Sequence, residues 1–168
     1  FLLGRLGLFH ILHRILDTLN IASAEYWTAL VALKAVFYRY NDADHAKVLA
    51  ALKDGTLSRD GKGLTDKEID AIKHSKRWNQ RYAKYLRKIR LPTEIITANL
   101  IAWTTRFMNQ KDDDGRHLCS RTTEGTALEQ INKACHIQDP PDLEMYTEIL
   151  PGPRTKHGLS QWESKRLE

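Results

Sequence analysis

The sequence has few cysteines and no long apolar run. Its 168 residues include two cysteines, Cys119 and Cys135, and one pair cannot form a disulfide framework. We therefore expect free thiols, in a reducing compartment or in a chain indifferent to redox state. No stretch approaches the roughly 20 apolar residues that a membrane-spanning helix needs, so we predict no transmembrane segment. A chain of this length buries roughly two-thirds of its unfolded surface and can fold without disulfides or metal.

The motifs of common enzyme classes are also missing. The sequence contains no serine in a nucleophile elbow, no phosphate-binding glycine loop and no HExxH. Carboxylates are plentiful, but none is marked out by its surroundings. His10 and His13 fall on the polar side of the first amphipathic stretch, where histidines are usually structural or solvated. We predict no catalytic residue and no cofactor, so the chain is not expected to be an enzyme.

Proline is scarce before the last part of the chain, since four of the five prolines follow Gln138. The sequence shows no internal repeat and no alternation typical of β-strands. It therefore predicts an all-α fold, a compact bundle of about five helices with an extended Pro-rich C-terminal arm. Residues 1–110 would form the helical body. Residues 111–168 would hold a solvated acidic turn, a short helix and the arm, with one or two helical turns around Leu143 to Ile149.

Apolar spacing and capping residues place the predicted helices. The second helix leaves almost no polar face and should be the central, buried one. The helix after Pro92 places an apolar stripe at i, i+4, i+7 and i+11 that should pack on the core: Ile96, Leu100, Trp103 and Phe107. Thr65 and Glu68 form a capping box, T-D-K-E, and Gly55 supplies a helix stop. The predicted ranges are from after Gly7 to Asn20, Glu25 to about Tyr40, Asp44 to Lys53, Asp66 to Arg90 with a break near Ser75 as an alternative, Thr93 or Glu94 to about Asn109, and Glu124 to Cys135 capped by Thr122 or Thr123.

The stretch from Lys73 to Arg90, called the basic stretch below, concentrates the positive charge. It holds eight cations and no acid, in a chain with 26 basic and 21 acidic residues. Wound as a helix, it aligns five cations on one stripe and sets five apolar or aromatic residues beside them. The cations are Lys73, Arg77, Arg81, Lys84 and Lys88, and the neighbouring residues are Trp78, Tyr82, Tyr85, Leu86 and Ile89.

Two interpretations of the basic stretch stay open. Cations at helical spacing can contact phosphates while aromatic rings stack on exposed bases, which favours nucleic-acid binding. Alternatively, the rings face the core, and the cations are solvated or paired with the acidic part of the arm, Asp139 to Glu148.

Two groups of residues invite a metal site. The loop TLSRDGKGL looks like part of an EF-hand, but Ile69 would stand at the bidentate twelfth position, so a glycine-rich turn is the better interpretation. His117, Cys119, Cys135 and His136 have the right chemistry for zinc. Their spacing is not a standard one, and an adjacent Cys and His point about 100° apart in a helix. We therefore predict no bound metal.

Gly7 to Arg14, GLFHILHR, resembles the element D-x-F-H-x-x-x-R of DDE-type transposases. In that family the Asp is the second metal-binding acid, and the helix after it begins a helical insertion. TTEG, followed by a helix at Thr126, resembles the neighbourhood of the third acid. The segments HIQDPPDLEMY and PGPRTKHGLSQWESKRLE resemble parts of large transposase-like proteins known from algal genomes. The resemblance implies that this chain is the helical region between and around the second and third acids.

The sequence departs from the family pattern at its catalytic acids. Gly7 stands where the second acid belongs, and the strand with the first acid is absent. Glu124 and Glu163 both fit the third acid. A two-metal site needs several carboxylates that converge on metals about 4 Å apart, so a nuclease is the least favoured class. The resemblance implies DNA contact or assembly instead.

The leading prediction is a non-catalytic helical domain that binds nucleic acid through the basic stretch, nuclear if the resemblance holds. The alternative is a structural or accessory subunit of a larger assembly, such as an organellar one. In that case the arm, residues 139–168, would lie on a protein partner, and the basic stretch would face an acidic protein or a lipid surface.

Overall fold

The computed structural model of the chain describes residues 8–134, 146–149 and 158–164. This part is mostly helical but not all-α, because two small two-stranded sheets accompany the helices. None of the helices described is long and apolar enough to cross a membrane. The elements are α1 (Leu8–Leu16), α2 (Tyr26–Phe37), β1 (Tyr38–Tyr40), α3 (Asp42–Lys53), α4 (Asp66–Lys73), a π-helical turn (Trp78–Tyr82), a 3-10 turn (Ala83–Tyr85), β2 (Lys88–Arg90), α5 (Thr93–Phe107), α6 (Arg121–Ala134), β3 (Tyr146–Ile149) and β4 (Gln161–Ser164). The described residues thus hold six α-helices rather than five.

The chain forms two compact units, each discontinuous in sequence. The first unit comprises Phe1–Arg39 and Arg90–Pro141, and the second comprises Tyr40–Ile89 and Asp142–Glu168. The predicted boundary at residue 110 falls inside the first unit. One sheet pairs β1 with β2, and the other pairs β3 with β4.

The first unit packs α1, α2, α5 and α6 around an apolar core. Four residues of α5 at the predicted spacing are all buried, as a stripe facing this core should be: Ile96, Leu100, Trp103 and Phe107. Nε1 of Trp103 donates to the Ala29 carbonyl oxygen at 3.0 Å, which satisfies the polar edge of the buried indole. The α5 prediction is confirmed.

Three predictions for the first unit need correction. Helix α2 ends at Phe37, and the chain from Tyr38 is extended. Several α2 residues are half-buried rather than fully covered, so α2 is less central than its composition suggested. Helix α6 begins at Arg121, before the predicted start, because Ser120 and Thr123 bond reciprocally: the Ser120 N–H donates to Thr123 Oγ1 at 3.0 Å, and the Thr123 N–H donates to Ser120 Oγ at 3.4 Å.

The acidic turn after Lys111 is not simply solvated, because the Asp112 side chain is buried. Its carboxylate accepts from the backbone N–H groups of Ala24 at 3.2 Å and Arg116 at 2.9 Å, and from Nε of Arg116 at 2.9 Å. Burial alone would raise the pKa of Asp112, but these hydrogen bonds outweigh it and lower the pKa to about 2.

Asp112 should therefore make the stability of the first unit depend on pH. A carboxyl whose pKa falls on folding stabilises the folded state above its unfolded pKa, and this stabilisation is lost as pH falls through the folded pKa. We expect Asp112→Asn to lower Tm by a constant amount above about pH 5, and the deficit to shrink between about pH 4 and about pH 2. A deficit that stays constant down to pH 2 in thermal melts would contradict this role.

The second unit packs α3, α4 and the turns that follow around a separate core. Its fully buried members include Val48, Leu52 and Leu86. The predicted capping box is present, since Thr65 Oγ1 accepts from the Glu68 N–H and the Glu68 carboxylate accepts from the Thr65 N–H.

The glycine-rich loop before α4 is a close-packed turn. Gly55 has a φ of +83°, and a Cβ there would lie 2.2 Å from the Gly61 carbonyl oxygen. A Cβ on Gly63 would lie 1.9 Å from the Lys53 carbonyl oxygen. The glycines are therefore required by backbone packing, as the turn interpretation predicts.

Part of the predicted arm forms a β-hairpin that belongs to the second unit. Strands β3 and β4 are antiparallel, with Tyr146 opposite Ser164 and Ile149 opposite Gln161. Leu159 is buried in the core of the unit. The predicted helical turn is wrong for residues 146–149, and residues 143–145 lie outside the described part.

Asp44 and Arg87 form a largely buried ion pair in the second unit. The Asp44 side chain is 5% exposed and that of Arg87 is 21% exposed. Asp44 Oδ2 accepts from Arg87 Nε at 2.8 Å, and Oδ1 accepts from Nη2 at 3.0 Å. This is the two-pronged geometry in which guanidinium–carboxylate pairs are strongest.

Removing the charge of Asp44 should destabilise the second unit. Asp44→Asn leaves a largely buried guanidinium without its counter-charge, so we expect a loss of about 3 kcal/mol in the free energy of unfolding. The matched control is Asp70→Asn, which breaks an exposed pair with Lys73 at 3.7 Å and should cost less than about 0.5 kcal/mol. Urea unfolding measures the free energy of unfolding of both variants. Equal losses would show that the Asp44–Arg87 pair stabilises the unit no more than an exposed pair does.

Candidate nucleic-acid interface

The basic stretch is not one continuous helix. Helix α4 ends at Lys73, and the chain bends at Ser75, whose Oγ donates to the Ile72 carbonyl oxygen at 2.7 Å. Helical turns resume over residues 76–85, which we call the cationic segment, and give way to β2 at Lys88. The break at Ser75 matches the predicted alternative, whereas the predicted end at Arg90 is wrong.

Contacts with α3 explain why the helix stops early. The Arg87 N–H donates to Asp44 Oδ2 at 3.0 Å instead of to a helical carbonyl. The Arg87 carbonyl oxygen accepts from the Asn41 N–H at 2.8 Å. Both backbone groups of Arg87 are thus used by residues at the start of α3, so neither joins a helical hydrogen-bond pattern.

The cationic segment contains a π-helical turn. The Ala83 N–H bonds to the Trp78 carbonyl oxygen, five residues earlier. Trp78 and Tyr82, the first and last residues of this turn, are both buried.

The aromatic rings of this segment belong to the core. Trp78 and Tyr82 are each 3% exposed, and Tyr85 is 7% exposed. Nε1 of Trp78 donates to the Tyr40 hydroxyl at 3.3 Å, and the Trp78 and Tyr82 ring centroids lie 5.7 Å apart. Of the two open interpretations, the structure favours the one in which these rings pack inward. They are not available to stack on bases.

The opposite side of the segment carries exposed cations. Arg77, Arg81 and Lys84 are exposed, and neither arginine forms an ion pair with a described residue. Lys84 Nζ lies 5.2 Å from the centroid of the Tyr85 ring, close enough for a cation–π contact. These three positions of the predicted stripe are therefore neighbours on one solvent-facing side.

The two ends of the predicted stripe lie off this segment. Lys73 is the last residue of α4 and pairs with Asp70. Lys88 lies in β2 and is half-buried, and this burial lowers the pKa of its ammonium group. Both side chains are less suited to bind an anion than the three central cations.

Two more cations of the basic stretch have structural partners. Arg87 is held by Asp44, and its guanidinium carbon lies 4.0 Å from the centre of the Trp162 ring. Arg90 Nη2 donates to Thr93 Oγ1 at 2.8 Å. The residues around Arg87 do not indicate its role, because Asp44 lies 43 positions away in the sequence. Lys76, which the predicted stripe omitted, is exposed beside Arg77.

The candidate metal ligands do not assemble in the described part of the chain. His117 is exposed, and Cys119 is buried, which raises the pKa of its thiol to about 11. Cys135 and His136 lie outside the described residues. Within those residues, no three His, Cys, Asp or Glu side chains come close enough to hold a metal ion.

The acids that the transposase resemblance points to are only partly described. Glu124 is exposed in the first turn of α6. Gly7 and the side chain of Glu163 lie outside the described part. The same is true of the side chains of the acidic arm, Asp139 to Glu148, so its pairing with the basic stretch stays a prediction.

Comparison with known proteins returns no match: no family model, curated protein or solved structure is significantly similar to the chain. The resemblance to DDE-type transposases therefore stays a prediction from the residues that carry it.

The two sides of the cationic segment should respond differently to truncation. Tyr82→Ala empties a buried site and should lower the free energy of unfolding by about 3 kcal/mol or more. The adjacent Arg81→Ala removes a solvated side chain and should change it by no more than about 0.5 kcal/mol. Urea unfolding distinguishes the two; a small effect of Tyr82→Ala would mean that the ring is not part of the core.

Proposed function

We propose that this chain is a non-catalytic nucleic-acid-binding domain, and that Arg77, Arg81 and Lys84 form the centre of its binding surface. The observation that carries the proposal is the arrangement of the cationic segment. Its aromatic side is fixed in the core, and its opposite side presents three exposed cations. A nucleic acid offers the regular row of phosphates that such a group of cations fits.

Preorganisation supports this proposal. Trp78 and Tyr82 anchor the segment, so the backbone that carries the cations loses little freedom when an anion binds. Each cation that contacts a phosphate displaces a condensed counterion into solution, which is the main source of affinity in such complexes. The formal net charge of +5 adds a general attraction to polyanions.

The flanking residues of the predicted stripe have a lesser part in the proposal. Lys73 already has a carboxylate partner, and burial disfavours the charged form of Lys88. We assign both to the edge of the surface. The resemblance to DDE-type transposases, in which a helical region would retain DNA contact, points to the same class of ligand.

The test is the salt dependence of binding. A labelled duplex of about 20 base pairs, or two helical turns, is titrated with the chain between about 50 and about 200 mM salt. The triple variant Arg77→Gln, Arg81→Gln, Lys84→Gln should weaken binding at every salt concentration. It should also reduce the magnitude of the slope of log K against log salt by about 3, about 1 per phosphate contact.

The matched control is Arg59→Gln, Lys62→Gln, Lys67→Gln. These three cations are also exposed and lie in the second unit, and the control removes the same net charge. Acids surround them in the sequence, including Asp60 and Asp66, so they should contribute little to an anion site. Equal losses in both triple variants would reduce the proposal to a non-specific effect of net charge.

The rival function is an accessory subunit whose arm lies on a protein partner. Part of the arm is not free for such a partner, because it packs within the second unit. Residues 158–164 include a buried Leu159 and the Trp162 ring that packs against Arg87.

Binding of the chain to phosphatidylserine-rich vesicles, but not to duplex or single-stranded nucleic acid, would replace the present proposal with a lipid-surface role.

A further inference from the structure

We infer that the proposed surface recognises its ligand through phosphates alone, and that contacts with bases add nothing to the affinity. This inference rests on the proposed function and specifies its ligand chemistry. Proteins that bind single strands typically stack bases on exposed aromatic rings, and each stacked base strengthens binding about 5- to 150-fold.

The tryptophan and tyrosine side chains described in the second unit are buried or half-buried. Trp78, Tyr82 and Tyr85 are buried. Tyr40 is half-buried and shares its hydroxyl with Trp78. Trp162 is half-buried, and one face of its ring is occupied by the Arg87 guanidinium. None of these side chains is fully exposed, so we expect none of them to stack on a base. The imidazole of His74 is exposed, but its Nδ1 lies 3.0 Å from the Asp70 carbonyl oxygen, within hydrogen-bonding distance.

The groups that are exposed on the cationic segment are suited to phosphate. A guanidinium matches phosphate oxygens with two parallel hydrogen bonds, and an ammonium binds them as a point charge. Between the cations, Gln80 is exposed and carries an amide that would be able to bond a base edge. Its side chain is solvated and not preorganised for one hydrogen-bond geometry, so we expect it to add no base preference.

Abasic oligonucleotides test the inference directly. The full chain is titrated with a single-stranded oligonucleotide and with one of equal length in which tetrahydrofuran replaces every base. Because the phosphates are unchanged, we expect affinities within about 2-fold and equal salt slopes. A loss of about 5-fold or more without bases would overturn the inference and leave the proposed function intact.

Two duplexes of equal length, one A·T-rich and one G·C-rich, extend the test to base edges. We expect affinities within about 2-fold for the wild type and no change in their ratio for Gln80→Ala, since a good base contact would discriminate by about 5-fold or more. A preference between the duplexes that Gln80→Ala removes would overturn the inference. If no oligonucleotide binds at low salt, the proposed function itself fails, which is a different result from either of these.

Discussion

The contact between Asp44 and Arg87 is the constraint on which the second unit depends. One carboxylate accepts from Nε, Nη2 and the backbone N–H of the same arginine, at 2.8, 3.0 and 3.0 Å. Burial alone would raise the pKa of Asp44, but these bonds outweigh it and lower the pKa, so the pair stays charged at neutral pH. Because the backbone N–H takes part, the same contact fixes a side chain and ends a run of helical turns.

This contact also divides the basic stretch by role. Before it, Arg77, Arg81 and Lys84 stand on helical turns with a buried opposite side. From Arg87 onward the chain leaves the helical turns and enters β2. The cations there are partly covered by the protein: Arg87 contacts both Asp44 and the Trp162 ring, and Lys88 is half-buried. The stretch therefore contains both a scaffold and a candidate surface. A count of its charges alone overstates what is available for binding.

Local signals in the sequence predicted much of the fold but only part of the candidate site. The capping box at Thr65 and the buried stripe of α5 depend on residues within a few positions of each other, and both are confirmed. The predicted helix ends before Arg90 because the Arg87 N–H bonds to Asp44, which lies 43 residues away in the sequence. The buried Asp112, the hairpin of β3 and β4 and the discontinuous units also depend on distant partners. Helical periodicity is a local pattern, so it carries no information about such partners. Where a distant partner forms a hydrogen bond, that contact overrides the local preference for helix.

The acids described among residues 40–89 of the second unit have partners of their own. Asp66 pairs with Lys53, Asp70 pairs with Lys73, and the Glu68 carboxylate is held by the Thr65 N–H. Asp54 and Asp60 accept from backbone N–H groups in their own turns. Among the described residues, these acids are engaged locally, and none pairs with Arg77 or Arg81. Exposed guanidinium groups of this kind are compensated by water and counterions in solution, and the release of counterions when phosphates are neutralised is the general entropic source of affinity for a nucleic acid.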